Sequence, residues 1–248
     1  MMAGPNGSFF KALIFDLYGT LVEIFKLSEY QTNLNAITTT LGLDPERFSD
    51  CWKDSWDVYP YGDYPSVKAR FEYALAKYHS KSVYPKPKGL EKAIKLRLEY
   101  IRRQNSLIKE GVFDALDWAK AQGYKLGMVS NCSTETALYW HENPLSKYIP
   151  APTLSCIVKL KKPQPEIFLK ETNKLGVDPS RCIYIADGDD HEFTTAKALG
   201  MTTILVKYDT SDAYRHQPFP ENEHVIYHFK ELPGLVDRIE LAKRGTKL

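Results

Sequence analysis

The sequence predicts an α/β protein with a Rossmann-like, three-layer core around a parallel sheet, together with an all-helical insertion. Three observations predict this class. Helical and strand periodicities alternate after residue 110, which is typical of a parallel sheet covered by helices. The region 28–107 has helical periodicity without a strand pattern. Small polar residues follow the ends of several predicted strands. We therefore expect a core domain of residues 8–22 and 108–240 and a helical domain of residues 23–107.

The first predicted strand is Ala12 to Asp16, a short apolar run that ends in a carboxylate. The helical insertion follows it, and four helices are expected there. Their signals are apolar residues at helical spacing together with start and stop residues: Tyr30, Leu34, Ile37, Leu41 and Gly42 for the first helix, Asp44-Pro45 for the second, Val67, Phe71, Ala74, Leu75 and Tyr78 for the third, and Leu90, Ile94, Leu98 and Ile101 for the fourth, after the turn at Pro85 and Pro87.

The second half of the chain alternates between the two periods. Helices are predicted over 114–122, 165–175 and 192–199, and strands over 124–129, 182–186 and 202–206. Polar residues stand where these strands end, at Asp16, Ser130-Asn131 and Asp187. Ligands bind at the carboxyl ends of the strands in open parallel sheets, so we expect a functional site at this edge.

Four short motifs carry a family resemblance: Asp16-Leu17-Tyr18-Gly19-Thr20, Val129-Ser130-Asn131, Lys162-Pro163-Gln164-Pro165, and Asp187 with Glu192. Their order and spacing resemble those of the haloacid dehalogenase superfamily. The helical insertion lies where that family has its cap domain, between the first and second motifs. Each motif is weak alone, and the four in order form a specific signal.

The resemblance implies an aspartate-based hydrolase. Asp16 would be the nucleophile, Ser130-Asn131 would hydrogen-bond the transferred group, and Lys162 would place a positive charge beside it. Metal-dependent members imply Mg²⁺ as cofactor, bound by Asp16, the Tyr18 backbone carbonyl and Asp187, with Glu192 as a further acidic group. Two simpler interpretations stay open. Lys162 belongs to a run of lysines, which is typical of a solvated surface. Glu192 stands at the start of a predicted helix, where the helix dipole stabilises a carboxylate.

Tyr18 departs from the phosphatase pattern, in which a second aspartate protonates the leaving group. A phenol is a poor base near neutral pH. Family members that cleave carbon–halogen bonds resemble this chain at Tyr18, but they have a small neutral residue in place of Asp187. An unpaired carboxylate beside Asp16 would be repelled, and a cation between the two would remove that repulsion.

The sequence therefore supports three hypotheses. The first is Mg²⁺-dependent hydrolysis of a small phosphorylated compound, the second is metal-independent dehalogenation of a 2-haloacid, and the third is a binding protein with little turnover. Arg47 and Lys53 are candidates for the cap arginine that the dehalogenases use. Most of the aromatic residues between Trp52 and Tyr64 are expected to pack in the helical bundle or in turns, and Tyr59, Tyr61 and Tyr64 are the better candidates among them to face a substrate. Asp189 and Asp190 are expected to be solvated.

Composition limits the other functions. Thirty-three basic and 31 acidic residues give a net charge of +2, which provides no basis for binding nucleic acid or an anionic membrane. No run approaches the roughly 20 apolar residues of a membrane span. The four cysteines lack metal-site or disulfide spacing, and residues 1–8 lack a signal peptide pattern, so we expect reduced thiols and a cytoplasmic location. The sequence leaves a homodimer open.

Overall fold

The computed structural model describes residues 7–80 and 87–245. Its core is one six-stranded, fully parallel sheet with the strand order β3-β2-β1-β4-β5-β6. The strands are β1 (Ala12–Phe15), β2 (Lys125–Ser130), β3 (Thr153–Leu154), β4 (Cys182–Ala186), β5 (Thr202–Val206) and β6 (His224–Ile226). The direction of strand addition reverses at β1, which places β2 and β4 on its two sides. This is the topological switch point at which α/β sheets bind ligands.

Helices cover both faces of the sheet. They are α6 (Val112–Ala121), α7 (Thr134–Leu138), α8 (Ser155–Val158), α9 (Pro165–Leu175), α10 (Glu192–Ala198) and α11 (Leu232–Gly245). Alternate residues of β1 contribute to different hydrophobic clusters: Leu13 and Phe15 pack with α6 and α11, whereas Ala12 and Ile14 pack with α9 and α10. This burial on both sides explains the continuous apolar strands and confirms the three-layer α/β fold.

The region between β1 and α6 contains the cap helices, which are α1 (Leu27–Leu41), α2 (Pro45–Lys53), α3 (Ser55–Val58), α4 (Val67–His79) and α5 (Leu90–Ser106). Local signals set their ends. The Asp44 carboxylate accepts a hydrogen bond from the Arg47 amide, the Ser66 hydroxyl accepts one from the Ala69 amide, and Gly42 ends α1 in the left-handed conformation. The apolar faces of these helices form a hydrophobic cluster of their own.

Two chain crossings connect the core to the cap helices, and they run side by side. Val22 and Ile108 form an antiparallel bridge. The Glu23 amide donates to the Leu107 carbonyl at 2.8 Å, and the Lys109 amide donates to the Leu21 carbonyl at 3.1 Å. The cap helices therefore leave and rejoin the core at one point.

Most of the elements that were not predicted are short, and the exception is the 14-residue helix α11, which was also not predicted. β4, β5 and α9 have the predicted bounds, whereas β3, β6, α3, α7 and α8 were not predicted and have two to five residues each. Such short segments contain too little periodicity to be recognised. The predicted turn at Pro85 and most of the segment 1–8 lie outside the described residues.

Two further expectations concern the whole chain. Within residues 7–80 and 87–245, no helix is both long and apolar enough to cross a membrane. All four cysteines are buried free thiols, and the Sγ atoms of Cys132 and Cys156 lie 3.9 Å apart.

Candidate active site

Three neighbouring strands deliver the predicted polar residues to one edge of the sheet. Asp16 follows β1, Ser130 is the last residue of β2, and Asp187 follows β4. Gly19 makes the close packing at this edge feasible. It adopts a φ of +71°, and a Cβ atom there would lie 2.3 Å from Asp187 Oδ2. The backbone after β1 can therefore approach the end of β4 only because residue 19 has no side chain.

Lys162 is a site residue and not a surface lysine. Its side chain is almost fully buried, and its ammonium lies 2.7 Å from Asp16 Oδ1, 3.1 Å from Asp190 Oδ2 and 3.8 Å from Glu192 Oε1. Although burial opposes the charged form, Asp16 and Glu192 raise the pKa of Lys162 well above its ordinary value. The ammonium is therefore a fixed positive charge beside the proposed nucleophile.

Asn131 anchors the backbone of Lys162. Its Oδ1 accepts a hydrogen bond from the Lys162 amide at 2.8 Å, and its Nδ2 donates to the Lys162 carbonyl at 3.2 Å. Both polar groups of the Asn131 side chain thus hold the loop before α9 against the end of β2. This geometry gives Asn131 a positioning function, beside the substrate-binding function that the motif implied.

Three of the four predicted metal ligands, the carboxylates, lie close together. Asp16, Asp187 and Glu192 each offer a carboxylate oxygen within 4.8 Å of the other two, and all three residues are buried. Burial raises the pKa of Asp16 to about 7 against the opposing effect of Lys162, and it raises the pKa of Glu192 to about 8. Burial also raises the pKa of Asp187, whereas Arg215 and Tyr208 lower it. Three crowded carboxyl groups in a dry site favour protons or a cation.

Charge and donor type both fit a divalent cation. Five carboxyl groups lie within 4.0 Å of the Lys162 ammonium or the Arg215 guanidinium, and they belong to Asp16, Asp187, Asp189, Asp190 and Glu192. When all five are ionised, their negative charge exceeds the positive charge of these two cations. One oxygen of Glu192, Oε1, is buried and accepts no hydrogen bond from residues 7–80 or 87–245. An all-oxygen set of this kind suits Mg²⁺.

Ser130 has an unused donor at the same edge. Ser130 is 1% exposed, and its hydroxyl has no hydrogen-bond partner among the residues that the structure describes. A buried hydroxyl without a partner is costly, and such groups in native proteins call for an explanation. A polar ligand that accepts a hydrogen bond from Ser130 would remove this cost.

The Tyr18 side chain is held by its neighbours. Its hydroxyl donates to Asn105 Oδ1 at 2.6 Å and lies 2.8 Å from the Thr136 hydroxyl, so it connects α5 with α7. Burial, with a contribution from Cys132, raises the pKa of the phenol far above its ordinary value. The phenol is therefore neutral, and it cannot act as a general base near neutral pH.

Arg215 is the site residue that sequence reasoning missed. Its Nη1 donates to Asp187 Oδ2 at 2.6 Å and to the Tyr208 hydroxyl at 2.6 Å, and its Nη2 donates to the Asp187 carbonyl at 3.3 Å. The Tyr208 hydroxyl donates to the same carboxylate oxygen at 2.5 Å. Both residues belong to the irregular segment between β5 and β6, which has neither periodicity nor a motif to mark it. Asp189 and Asp190, expected to be solvated, instead contact the Arg215 segment and Lys162.

Most of the cap candidates contact other residues of the cap helices. Arg47 donates to the Tyr78 carbonyl, and Lys53 pairs with Asp50 on an exposed surface. Tyr64 is buried in the hydrophobic cluster of the cap helices, and Tyr59 packs against that cluster. The Tyr61 carbonyl accepts a hydrogen bond from the Ser155 hydroxyl.

Two other cap arginines face the core. Arg97 Nε lies 3.2 Å from Glu135 Oε1 of α7, and Arg70 Nη1 lies 4.0 Å from the same atom. All three side chains are buried. They join the cap helices to the core next to Tyr18, because Thr136 follows Glu135 and bonds the phenol.

Comparisons with known proteins agree with this geometry. The family model of haloacid dehalogenase-like hydrolases matches residues 10–200. Glyceraldehyde 3-phosphate phosphatase from Pyrococcus furiosus is 25% identical over 245 residues, which cover 96% of each chain. Rhythmically expressed gene 2 protein from Drosophila melanogaster is 30% identical over 113 residues, and this match spans 43% of each chain.

A solved structure shows the same fold. The 2-haloacid dehalogenase from Pseudomonas syringae pv. Tomato superposes with a TM-score of 0.67 at 18% identity, over 93% of this chain and 99% of that one. The family model covers most of the chain, including all four motifs. This protein therefore belongs to the haloacid dehalogenase-like hydrolases, and it is a hydrolase.

Proposed function

We propose that the protein is a Mg²⁺-dependent phosphatase of small phosphorylated compounds, with Asp16 as its nucleophile. The observation that carries the proposal is the set of groups at one sheet edge: a carboxylate paired with a buried lysine, an unpartnered serine hydroxyl and three converging carboxyl groups. A phosphoryl group needs a nucleophile, hydrogen-bond donors and positive charge around its oxygens.

The reaction requires two displacements at phosphorus. In the first, an Asp16 oxygen attacks phosphorus and the bond to the alcohol oxygen breaks, which leaves an aspartyl-phosphate and an alkoxide that takes up a proton from solvent. In the second, water attacks phosphorus and returns a proton to solvent, and the bond to the Asp16 oxygen breaks, which releases inorganic phosphate and regenerates the carboxylate. Ser130 donates a hydrogen bond to the phosphoryl oxygens, and Lys162 stabilises the negative charge that develops on them.

Mg²⁺ would be held by Asp16, the Tyr18 carbonyl and Asp187, with Glu192 as a further carboxylate. When bound, the cation neutralises carboxylate and phosphoryl charge, which allows the two anions to approach each other. The cap helices would cover this edge and select the substrate. We take residues 23–107 as the cap domain and residues 8–22 and 108–240 as the catalytic domain.

One observation favours a second function. Tyr18 occupies the position of the usual acid and base, and its phenol is neutral and held by Asn105 and Thr136. A halide leaving group needs no proton, so Asp16 displacing halide from a 2-haloacid is compatible with this residue. The carboxyl group of Asp187 argues against it, because metal-independent chemistry gains nothing from a second buried acid beside the nucleophile.

A substrate panel separates these functions. Phosphorylated metabolites and 2-haloacids are assayed with Mg²⁺ and with a chelator, for the native protein and for Asp16→Asn. We expect phosphate release that depends on Mg²⁺ and is lost in Asp16→Asn, since the amide is nearly isosteric but is not a nucleophile. Asp114→Asn, at an exposed residue of α6, is the matched control and should retain activity.

Three other results of the substrate panel would contradict the proposed function. Halide release that survives the chelator would replace the phosphatase assignment with dehalogenation. Substantial phosphate release by folded Asp16→Asn would refute the mechanism. Inactivity towards every compound, with and without Mg²⁺, would favour a binding protein with little turnover.

A further inference from the structure

The segment between β5 and β6 connects the cap helices with the metal carboxylate. At one end of this connection, the Arg215 guanidinium and the Tyr208 hydroxyl both donate to Asp187 Oδ2. The Arg215 side chain is 7% exposed and packs over Phe219 with its Cζ 4.2 Å from the ring centre. This ion pair is nearly dry, so it is screened little by solvent.

At the other end, the residues just before Arg215 bond to the chain where it enters α1. The Tyr214 amide donates to the Phe25 carbonyl at 2.7 Å, and the Leu27 amide donates to the Asp212 carbonyl at 2.8 Å. The Asp212 carboxylate also accepts from the Ser28 amide and hydroxyl. Movement of the cap helices that displaces residues 25–28 therefore pulls directly on the backbone next to Arg215.

The contact between the Arg215 guanidinium and Asp187 lowers the affinity of this carboxylate for a cation. Asp187 Oδ2 already accepts two hydrogen bonds, whereas Oδ1 accepts only the Asp189 amide at 3.2 Å. A divalent cation on the remaining oxygen would stand close to the positive charge of Arg215, and two like charges in a buried site repel each other.

We propose that Arg215 is a positioning residue that couples the cap helices to the Mg²⁺ site. When residues 25–28 hold the segment in place, the guanidinium seats on Asp187 and weakens Mg²⁺ binding. When Mg²⁺ binds, it weakens the hold of Asp187 on Arg215 and so loosens the segment from the start of α1. Such coupling is reciprocal by thermodynamic necessity. The inference rests on the proposed Mg²⁺ site, and it adds a residue outside the four motifs.

Calorimetry with Mg²⁺ alone tests the first half. Arg215→Gln removes the positive charge and should lower the Mg²⁺ dissociation constant about tenfold or more, at a pH where the carboxyl groups are ionised, since coupling energies between sites are typically 5–150-fold. Arg215→Lys keeps the charge and should bind with an affinity between the two. Lys207→Gln removes the same charge from the same segment without a contact to Asp187, and it should leave the affinity unchanged.

Hydrogen exchange tests the second half without any activity assay. Saturating Mg²⁺ should speed exchange of the Leu27 and Tyr214 amides in the native protein, and this dependence should disappear in Arg215→Gln. Tyr208→Phe, which removes only a hydroxyl, should give a smaller gain in affinity and serves if Arg215→Gln folds poorly.

The outcomes are separable. If the native protein binds Mg²⁺ with an affinity that Asp187→Asn does not change, the proposed metal site fails. If Asp187→Asn abolishes binding but Arg215→Gln binds as weakly as the native protein or more weakly, the coupling by Arg215 fails while the metal site stands. Exchange at Leu27 and Tyr214 that ignores Mg²⁺ would also overturn the coupling.

Discussion

At the scale of single residues, the site combines groups whose charges depend on one another. Asp16 pairs with Lys162 and Asp187 pairs with Arg215, yet burial still raises the pKa values of Asp16 and Asp187 above the ordinary range. Protons, cations and substrate oxygens therefore compete for the same few buried atoms.

Mg²⁺ binding should consequently release protons. The pKa values of Asp16 and Glu192 are raised to about 7 and about 8, so the metal-free site holds protons below these values. Because a metal ligand must be deprotonated, Mg²⁺ affinity should rise with pH from about 6 to 9. Calorimetry in two buffers of different ionisation enthalpy measures the protons released. Equal heats in both buffers would contradict the prediction.

The same shifts affect stability. A folded-state pKa that is raised above its unfolded value stabilises the fold at low pH, and this stabilisation is lost as the pH rises through the folded value. The chelated protein should therefore melt at a lower temperature above about pH 7 than below it, and Mg²⁺ should restore the difference. Melting curves against pH, with and without Mg²⁺, measure this, and a pH-independent effect of Mg²⁺ would contradict it.

Tyr18 gives a prediction about chemistry. Since its phenol is neutral and held by Asn105 and Thr136, Tyr18→Phe should change kcat less than about threefold and cost about 1–2 kcal/mol of stability through the lost hydrogen bonds. Steady-state kinetics and urea unfolding measure the two effects. A loss of about 10² or more in kcat would show that the hydroxyl takes part in proton transfer.

The lack of a carboxylate general base at position 18 should also affect the time course of product release. General-base assistance is worth about 10²–10⁴-fold, so hydrolysis of the aspartyl-phosphate should be slow. Rapid mixing with an aryl phosphate should then show a burst of phenol followed by slow turnover, with alkyl phosphates reacting more slowly still. Fast turnover of an alkyl phosphate without a burst would mean that another carboxyl group supplies the base, and Glu192 would be tested first.

At the scale of elements, the loop before α9 depends on Asn131. Asn131→Ala removes both hydrogen bonds to the Lys162 backbone, so the ammonium loses its fixed position beside Asp16. We expect kcat to fall about 10–10²-fold, in line with misplacement of a catalytic group, with the stability loss confined to about 1–3 kcal/mol. Kinetics and urea unfolding test this. Gln164→Ala removes one side-chain bond to the Lys161 amide of the same loop and should retain activity.

Several elements with long, regular patterns were predicted from the sequence, although the 14-residue helix α11 was missed. β4, β5 and α9 are continuous apolar or amphipathic runs between clear stop residues, and the prediction of their bounds was confirmed. The two-residue strand β3 and the three-residue strand β6 were missed, because pairing with a neighbour, and not local pattern, defines them. Asp16, Ser130, Lys162 and Asp187 became candidates because they belong to motifs that resemble those of a known family, and three of them also lie at the predicted strand ends. Arg215 has no such marker, and only the folded chain brings it to Asp187.

At the scale of the whole molecule, a buried ion cluster fastens the cap helices to the core. Glu135 pairs with Arg97 and lies near Arg70, and no solvent reaches its side chain. Glu135→Gln keeps the shape but leaves two buried guanidinium groups without a negative partner. Because burial raises the pKa of Glu135 to about 8, its carboxyl group is mostly ionised only above that pH. At about pH 9 we expect a loss of about 3–5 kcal/mol of stability, the usual cost of breaking a buried pair, and a smaller loss at pH 6; urea unfolding at the two pH values measures this.

An exposed pair provides the control for this prediction. Glu142, which pairs with Arg102 of α5, also joins core and cap helices, but its side chain and that of Arg102 are 37% and 63% exposed. Glu142→Gln should cost less than about 1 kcal/mol. Equal effects of the two substitutions would mean that the cluster around Glu135 adds little to cap attachment.

The paired crossings at Val22 and Ile108 have a consequence for how such a protein can change over evolution. Because the segment between them leaves and rejoins the core at neighbouring residues, its replacement by another helical module or by a short turn requires no stretching of the sheet. The proposed nucleophile Asp16, Lys162 and the carboxylates of Asp187 and Glu192 all lie outside that segment. Recombination at this junction can therefore change the substrate range while the residues of the candidate active site stay the same.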